Sequence, residues 1–239
     1  MCGRYTLTTP ADKYKAQLKY ERARAFLEKL FARYNIAPTQ DVAAVRTGTE
    51  GVRELVALHW GLIPSWSKAP KTEYSTINAR AETVAEKPAF RSAFRYRRCL
   101  ILADGYYEWQ ARPGSKLKQP WYIRRADGEP FAFAGLWERW ESHLGEEGEP
   151  VESCSIIVTD ANALTRPIHD RMPVILDPAT YDVWLDPECR DKTGLLSLLR
   201  PFPPDEMTAW KVSTHVNSPR HDDPTCVEPA EPSALDSVD

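Results

Sequence analysis

The stretch CLILADGYYEWQ, Cys99–Gln110, limits the architecture of this chain more than any other. Its unbroken apolar run from Cys99 to Ala103 fits a buried strand. Asp104 and Gly105 then turn the chain, and Tyr106–Gln110 resumes as a strand. In that strand Tyr106 and Glu108 face one way, and Tyr107 and Trp109 the other. Short runs of the same kind recur at Met1–Thr8, Val42–Val45, Leu55–Trp60, Trp121–Arg124, Phe131–Trp137 and Ser155–Thr159. Between them the spacing turns helical. Asp12–Leu30 carries Tyr14, Leu18, Ala25, Leu27 and Leu30 at helical intervals and predicts one exposed amphipathic helix. Pro88–Arg98 predicts a shorter one, with Phe90 and Phe94 on one side and Arg91, Arg95 and Arg98 on another. Asp177 is placed to cap a helix reaching Leu185, and Asp191 one reaching Leu199. Tyr34–Gln40 and Gly61–Pro70 read as loops. Strands and helices without a βαβ rhythm imply an α+β fold rather than a doubly wound sheet.

At 239 residues the chain is long enough for one sizeable core. Five cysteines, an odd number with no CxxC pair, argue against a disulfide framework and a zinc ribbon. Five histidines with neither HxxxH nor HExxH spacing give no sign of a dedicated metal site. No basic segment leads into an apolar run at the start, and no stretch nears the ~20 apolar residues of a membrane span. The expected setting is reducing and cytoplasmic. A net charge of −3 excludes a generally basic nucleic-acid coat, so any nucleic-acid contact must use a local patch. Lys87, Arg91, Arg95, Arg97 and Arg98 offer one, and a solvated helix face explains them equally well. From Pro229 onward Pro, Ser and acidic residues dominate, so residues 1–229 are expected to form one domain and 230–239 a disordered tail. The acidic loop His143–Glu152 carries no recognised motif.

Four polar stretches stand in apolar or tightly turned surroundings. In ADGYYEW, a carboxylate flanked by aromatics gains a raised pKa suited to general acid–base work if it is desolvated. The ordinary alternative for Glu108 is a surface position or an arginine partner. In IHDRMP, His169 suits a proton carrier or an anion contact, with a hydrogen-bonded structural histidine as the alternative. In TINARAET, Asn78 offers donor and acceptor groups that orient a reacting group or cap a turn. Arg80 is a phosphate candidate or a surface ion pair. At the start, MCGR places a thiol behind the initiator methionine. Removal of Met1 would leave an α-amine with a pKa of about 7.7–8.0 beside that thiol. Such an amine forms a Schiff base with an aldehyde, and the thiol then closes a five-membered thiazolidine. With Met1 retained, Cys2 is a small apolar residue.

Together MCGRY, RYNIAPTQ, HWGLIPSW, INARAET, CLILADGYYEW, QPWYIRR, FAFAGLWERW, SIIVTDAN, IHDRMPVIL and VSTHVNSP resemble the SRAP family, the SOS-response-associated peptidases described as abasic-site processing proteins. The resemblance spans roughly residues 2–229. It implies a single compact domain with a strongly bent, partly barrel-like mixed sheet flanked by helices. It implies binding of single-stranded DNA, or a single-strand/duplex junction, carrying an abasic site. It further implies Met1 removal, with autocatalysis as one route and as the origin of the peptidase label. It implies, too, a thiazolidine cross-link between Cys2 and the ring-opened deoxyribose. By motif match Cys2 is the nucleophile, Asn78 holds the sugar, Glu108 shuttles protons, and His169 contacts the opened sugar or its phosphate. Arg4, Arg80 and Arg171 are then the phosphate candidates, and Trp66, Pro38 and Trp109 the residues that stack on or wedge bases, with core burial as the alternative for Trp109. No cofactor or metal is implied, and nothing demands more than a monomer. Two rival readings use the same residues: a thiol peptidase built on Cys2 and His169, and a DNA reader without chemistry.

Overall fold

A computed structural model describes residues 2–23, 27–48, 50–70, 75–142 and 149–231. Along these residues run β1 (Tyr5–Leu7), β2 (Arg22–Ala23), β3 (Arg33–Ile36), β4 (Asp41–Thr47), β5 (Arg53–Trp60), β6 (Asn78–Arg80) and β7 (Arg98–Ala103). They are followed by β8 (Gly105–Gln110), β9 (Gln119–Arg125), β10 (Phe131–Trp140), β11 (Val151–Asp160), β12 (Arg171–Pro173) and β13 (Met207–Lys211). The α-helices are short: α1 (Ala11–Leu18), α2 (Arg91–Tyr96), α3 (Tyr181–Leu185) and α4 (Lys192–Ser197).

The apolar run that becomes β7 is buried at every position, because it is central in its sheet and covered on both faces. It lies between β4 and β10; β4 pairs onward with β5, and β10 with β11. All of these pairings are antiparallel. One parallel pairing, Ser153 with His59 and Cys154 with Trp60, joins β11 to β5 and closes the five strands into a barrel. Gly135 lets β10 approach β7: a Cβ there would lie 2.8 Å from the Cys99 sulfur.

A second sheet has the order β13-β9-β8-β1-β3. The chain returns to it at Asp104, so β7 and β8 are consecutive in sequence but belong to different sheets. Gly105 admits no side chain, since a Cβ would stand 2.2 Å from the Tyr122 hydroxyl. The Asp104 carboxylate accepts from the Thr8 and Thr9 amides at 2.6 and 2.7 Å and from the Thr6 and Thr8 hydroxyls. This fixes the far end of β1. Tyr5 docks the strand on the barrel, edge-on to Trp60 at 5.3 Å and to Phe133 at 5.7 Å. The fold is thus α+β, a single compact domain around a barrel-like mixed sheet, in line with the expectation.

Several local expectations need correction. The helix predicted over Asp12–Leu30 is only eight residues long. Lys19 turns left-handed (φ 51°), its amide closes on the Lys15 carbonyl at 2.9 Å, and Arg22–Ala23 instead pairs with β5. Leu27–Leu30 is a 3₁₀ turn; Ala25 lies outside the described residues. Tyr34–Gln40, read as a loop, begins inside β3, which pairs with β1. Asp222 accepts from the Tyr34 and Asn35 amides and so satisfies donors that a lone edge strand would leave open. Arg98 is no part of a surface patch. It is buried in β7, where Nη1 donates to the Phe94 and Arg95 carbonyls at 2.8 and 2.9 Å and closes the end of α2. At the other end of the chain, the Ala230 amide bonds the Lys211 carbonyl at 2.8 Å, so the chain is still tied down there. Residues 232–239 of the expected tail, and 143–148 of the acidic loop, lie outside the described residues.

Candidate active site

Strand β11 changes partners midway. Its first half pairs with β10 and β5. On one side β6 replaces β5 from Ile156 (Ile156 with Asn78, Val158 with Arg80), and on the other β12 replaces β10 from Val158 (Val158 with Pro173, Asp160 with Arg171). The NAR and DRMP motifs, far apart in sequence, therefore sit on either side of one strand.

Cys2 is fully buried just ahead of β1. The Asn78 side-chain amide donates to the Cys2 carbonyl at 2.8 Å, and the Asn78 Oδ1 is buried without a partner among the described residues. Burial pushes the Cys2 thiol well above its ordinary pKa, and the Glu108 charge adds to the rise. Glu108 occupies the barrel-facing side of β8 and is 3% exposed. Burial lifts its carboxyl to about 7; the positive amino terminus opposes the rise, and Asp170 adds to it. His169 is pushed below its ordinary range, first by burial and then by the same terminal charge, with Asp170 acting the other way. Cys2 thus feels the Glu108 charge, Glu108 feels Asp170 beside His169, and Asn78 holds Cys2 in place. The sequence singles out these four stretches without showing that they meet.

Two groups compete for the His169 Nδ1. The Arg171 amide donates to it at 3.1 Å, and an Asp170 carboxylate oxygen stands 2.8 Å away. The amide requires a lone pair there and the carboxylate a proton. The Asp170 side chain is 86% exposed and therefore screened, whereas burial favours the neutral ring. The Arg171 amide and burial both favour a neutral ring with its lone pair at Nδ1.

The proposed DNA contacts divide. Arg171 is engaged by Glu82 and, at 3.3 Å, by Asp160. Arg4 Nη1 donates to Asn35 Oδ1 at 2.7 Å and to the Val216 carbonyl at 2.9 Å, and its guanidinium lies 5.7 Å from the Trp109 ring. Trp109 Nε1 in turn donates to Asn217 at 2.8 Å. Pro38 is half-buried in the turn where the Thr39 amide bonds the Trp60 carbonyl. Trp66 and Arg80, by contrast, are exposed and share with Asn78, Lys87 and Phe90 a groove of about 660 Å³. The spacing of Phe90 puts it on the apolar side of a helix, and nothing in it marks a groove residue. Asn35 carries no clear mark either. That buried amide ties Arg4 to the carbonyls of Val216, Ser218 and His221, and only its position within YNIAP points to it.

The SOS response associated peptidase (SRAP) family profile matches residues 1–219. The chain is 43% identical over 230 residues to the abasic site processing protein YoqW of Bacillus subtilis, covering 95% of this chain and 99% of that one. It is 32% identical over 266 residues to the abasic site processing protein HMCES of Xenopus tropicalis, covering 95% of this chain and 78% of the other. A crystal structure of a Bacteroides thetaiotaomicron protein superposes with a TM-score of 0.84 at 32% identity, over 96% of this chain and all of that one. A match spanning the barrel, the second sheet and all four polar stretches makes this chain a member of the SRAP family.

Proposed function

We propose that this protein processes abasic sites in single-stranded DNA, or at a single-strand/duplex junction, by a covalent cross-link through Cys2 once Met1 has been removed. The amine of Cys2 adds to the C1′ aldehyde of the ring-opened deoxyribose. The carbinolamine loses water to leave an imine. The Sγ–H then adds across C=N, sulfur to carbon and proton to nitrogen, so one water leaves overall. A Glu108 carboxyl raised by burial serves both halves, giving a proton to the departing hydroxyl and taking one from the attacking amine. Asn78 orients Cys2, and the Nε2–H of His169 supplies a donor for the opened sugar or its phosphate. Trp66 stacks a base while Arg80 and Lys87 face phosphates.

The observation that carries this reading is the buried Glu108 carboxyl sharing an electrostatic environment with a Cys2 held by Asn78. The same environment weighs against the thiol peptidase reading. A hydrolase needs a standing thiolate beside an imidazolium, whereas here the thiol is pushed up and the imidazole down. The test is incubation with a single-stranded oligonucleotide carrying an abasic site, followed by denaturing electrophoresis. A shifted band is expected for the wild type and none for Cys2→Ala or for protein acetylated at its amino terminus. Wild type that lacks Met1 by mass and gives no shifted band overturns the proposal.

A further inference from the structure

The loop after β13 holds three unlike donor atoms that the chemistry at Cys2 does not use. His215, Asp223 and Cys226 each direct one donor inward, and the three atoms lie within 4.8 Å of one another. His215 Nε2 stands 2.9 Å from Asp223 Oδ2, and the Cys226 thiol is fully buried behind them. Each donor is held from behind. Asp223 Oδ1 accepts from the Thr225 amide at 3.0 Å, which leaves Oδ2 turned to the cluster. The His215 ring is stacked on His221 at 3.9 Å between centroids, 5° from parallel. The thiol donates at 3.5 Å to the His221 carbonyl, which Asn35 also serves at 2.6 Å, so that oxygen keeps a partner if the thiol loses its proton. The His215 and Asp223 side chains are 31% and 43% exposed, so the cluster opens to solvent on one side.

We infer that His215, Asp223 and Cys226 form a site for a divalent cation of the zinc class, with water as the fourth ligand. One sulfur, one imidazole nitrogen and one carboxylate oxygen make a borderline-soft set that suits zinc better than magnesium or calcium. Ligand bonds of about 2.0–2.3 Å put tetrahedral donors roughly 3.3–3.7 Å apart, so the His215–Asp223 pair must open by a few tenths of an ångström and any pair near the 4.8 Å limit must close by about 1 Å. Binding releases the Cys226 proton to solvent and leaves the cation with a thiolate and a carboxylate. The supports behind each donor are what orient metal ligands elsewhere. Neither the histidine nor the cysteine spacing of this loop follows the usual patterns, and only the fold brings the three together. The site lies on the strap that receives Arg4 and Asn35 at Val216 and Trp109 at Asn217, so the cation would stiffen the segment beside Cys2.

The test titrates the metal-free full chain with cobalt(II) and zinc(II). Cobalt is expected to give a thiolate charge-transfer band and the visible bands of a four-coordinate site, both discharged by zinc. Zinc at a hundredfold over its Kd is expected to raise the Tm by about 5–10 °C. Cys226→Ser removes the charge-transfer band, and Asp223→Asn, which keeps an oxygen to accept from the Thr225 amide, weakens cobalt binding at least tenfold. Cys2→Ala keeps the band. The inference fails if the wild type gives no charge-transfer band, if the band persists in Cys226→Ser, or if Asp223→Asn binds cobalt as tightly as the wild type.

Discussion

The Asn78 side chain reaches across from β6 to hold the backbone carbonyl of Cys2 at 2.8 Å. A residue at the tip of the chain is thereby positioned by an amide from the middle of it. Replacing Asn78 by alanine removes one neutral hydrogen bond, worth about 1 kcal/mol. Single-turnover cross-linking to abasic single-stranded DNA is expected to slow about five- to tenfold, with the circular dichroism spectrum unchanged. An unaltered rate would show that Asn78 has no part in placing Cys2.

Glu108 links stability to pH. Its carboxyl titrates near 7 in the fold against 4.5 ordinarily, so between those values the folded state holds a proton that the unfolded state has released. Stability therefore falls as pH rises through that window and is lowest above it, by about 3 kcal/mol. Glu108→Gln removes this loss. The variant is expected to melt higher than wild type at pH 8, with the difference shrinking toward pH 4.5, while its cross-linking slows. Parallel melting curves across that range would contradict the assignment.

Trp66 is 58% exposed at the mouth of the groove and contributes little to the core. Trp66→Ala is expected to leave the Tm within a degree or two, yet weaken single-stranded DNA binding by about 1–3 kcal/mol, the worth of a stacked base. Fluorescence anisotropy with an unmodified oligonucleotide reads this directly. Equal affinity would return Trp66 to mere surface.

For Arg80 the informative quantity is the salt dependence. Its exposed guanidinium lines the same groove. Arg80→Ala takes away one cation facing a phosphate and is expected to lower the slope of log K against log salt by about 0.7. An unchanged slope would assign Arg80 a structural role.

Asn35 is expected to matter for stability. It is fully buried, donates to three carbonyls and accepts from Arg4. Asn35→Ala removes these buried hydrogen bonds, although Arg4, the His221 amide and the Cys226 thiol still reach the three carbonyls, at a cost of about 2–3 kcal/mol, read as a Tm lower by roughly 5–10 °C. A Tm within a degree of wild type would mean that the strap is held by other interactions.

How much of this is legible in the sequence depends on the range of the interactions involved. The apolar run Cys99–Ala103 and the alternation in Tyr106–Gln110 are local signals, and both strands form there. The alternation puts Glu108 on one face with Tyr106 but leaves open whether that face is buried, which the fold decides. The break in the helix over Asp12–Leu30 is not legible, because apolar spacing cannot reveal that Lys19 turns left-handed and that Arg22 finds a partner in β5. Arg98 looks like one more surface cation until three carbonyls from the end of α2 and from α3 close around it. Within the site the residue types are visible, but their meeting is not. It depends on β11 exchanging neighbours at Ile156, a choice made by segments far apart in the sequence.

The parallel seam between β5 and β11 sets an order of events at the ribosome. The second residue leaves the exit tunnel among the first, but the strand that gathers its neighbours follows only after most of the polypeptide has been synthesised. Until that late strand arrives, β6 lacks the partner that carries the Asn78 amide to Cys2. The nascent protein therefore carries Cys2 through much of its synthesis before the Asn78 amide can hold it.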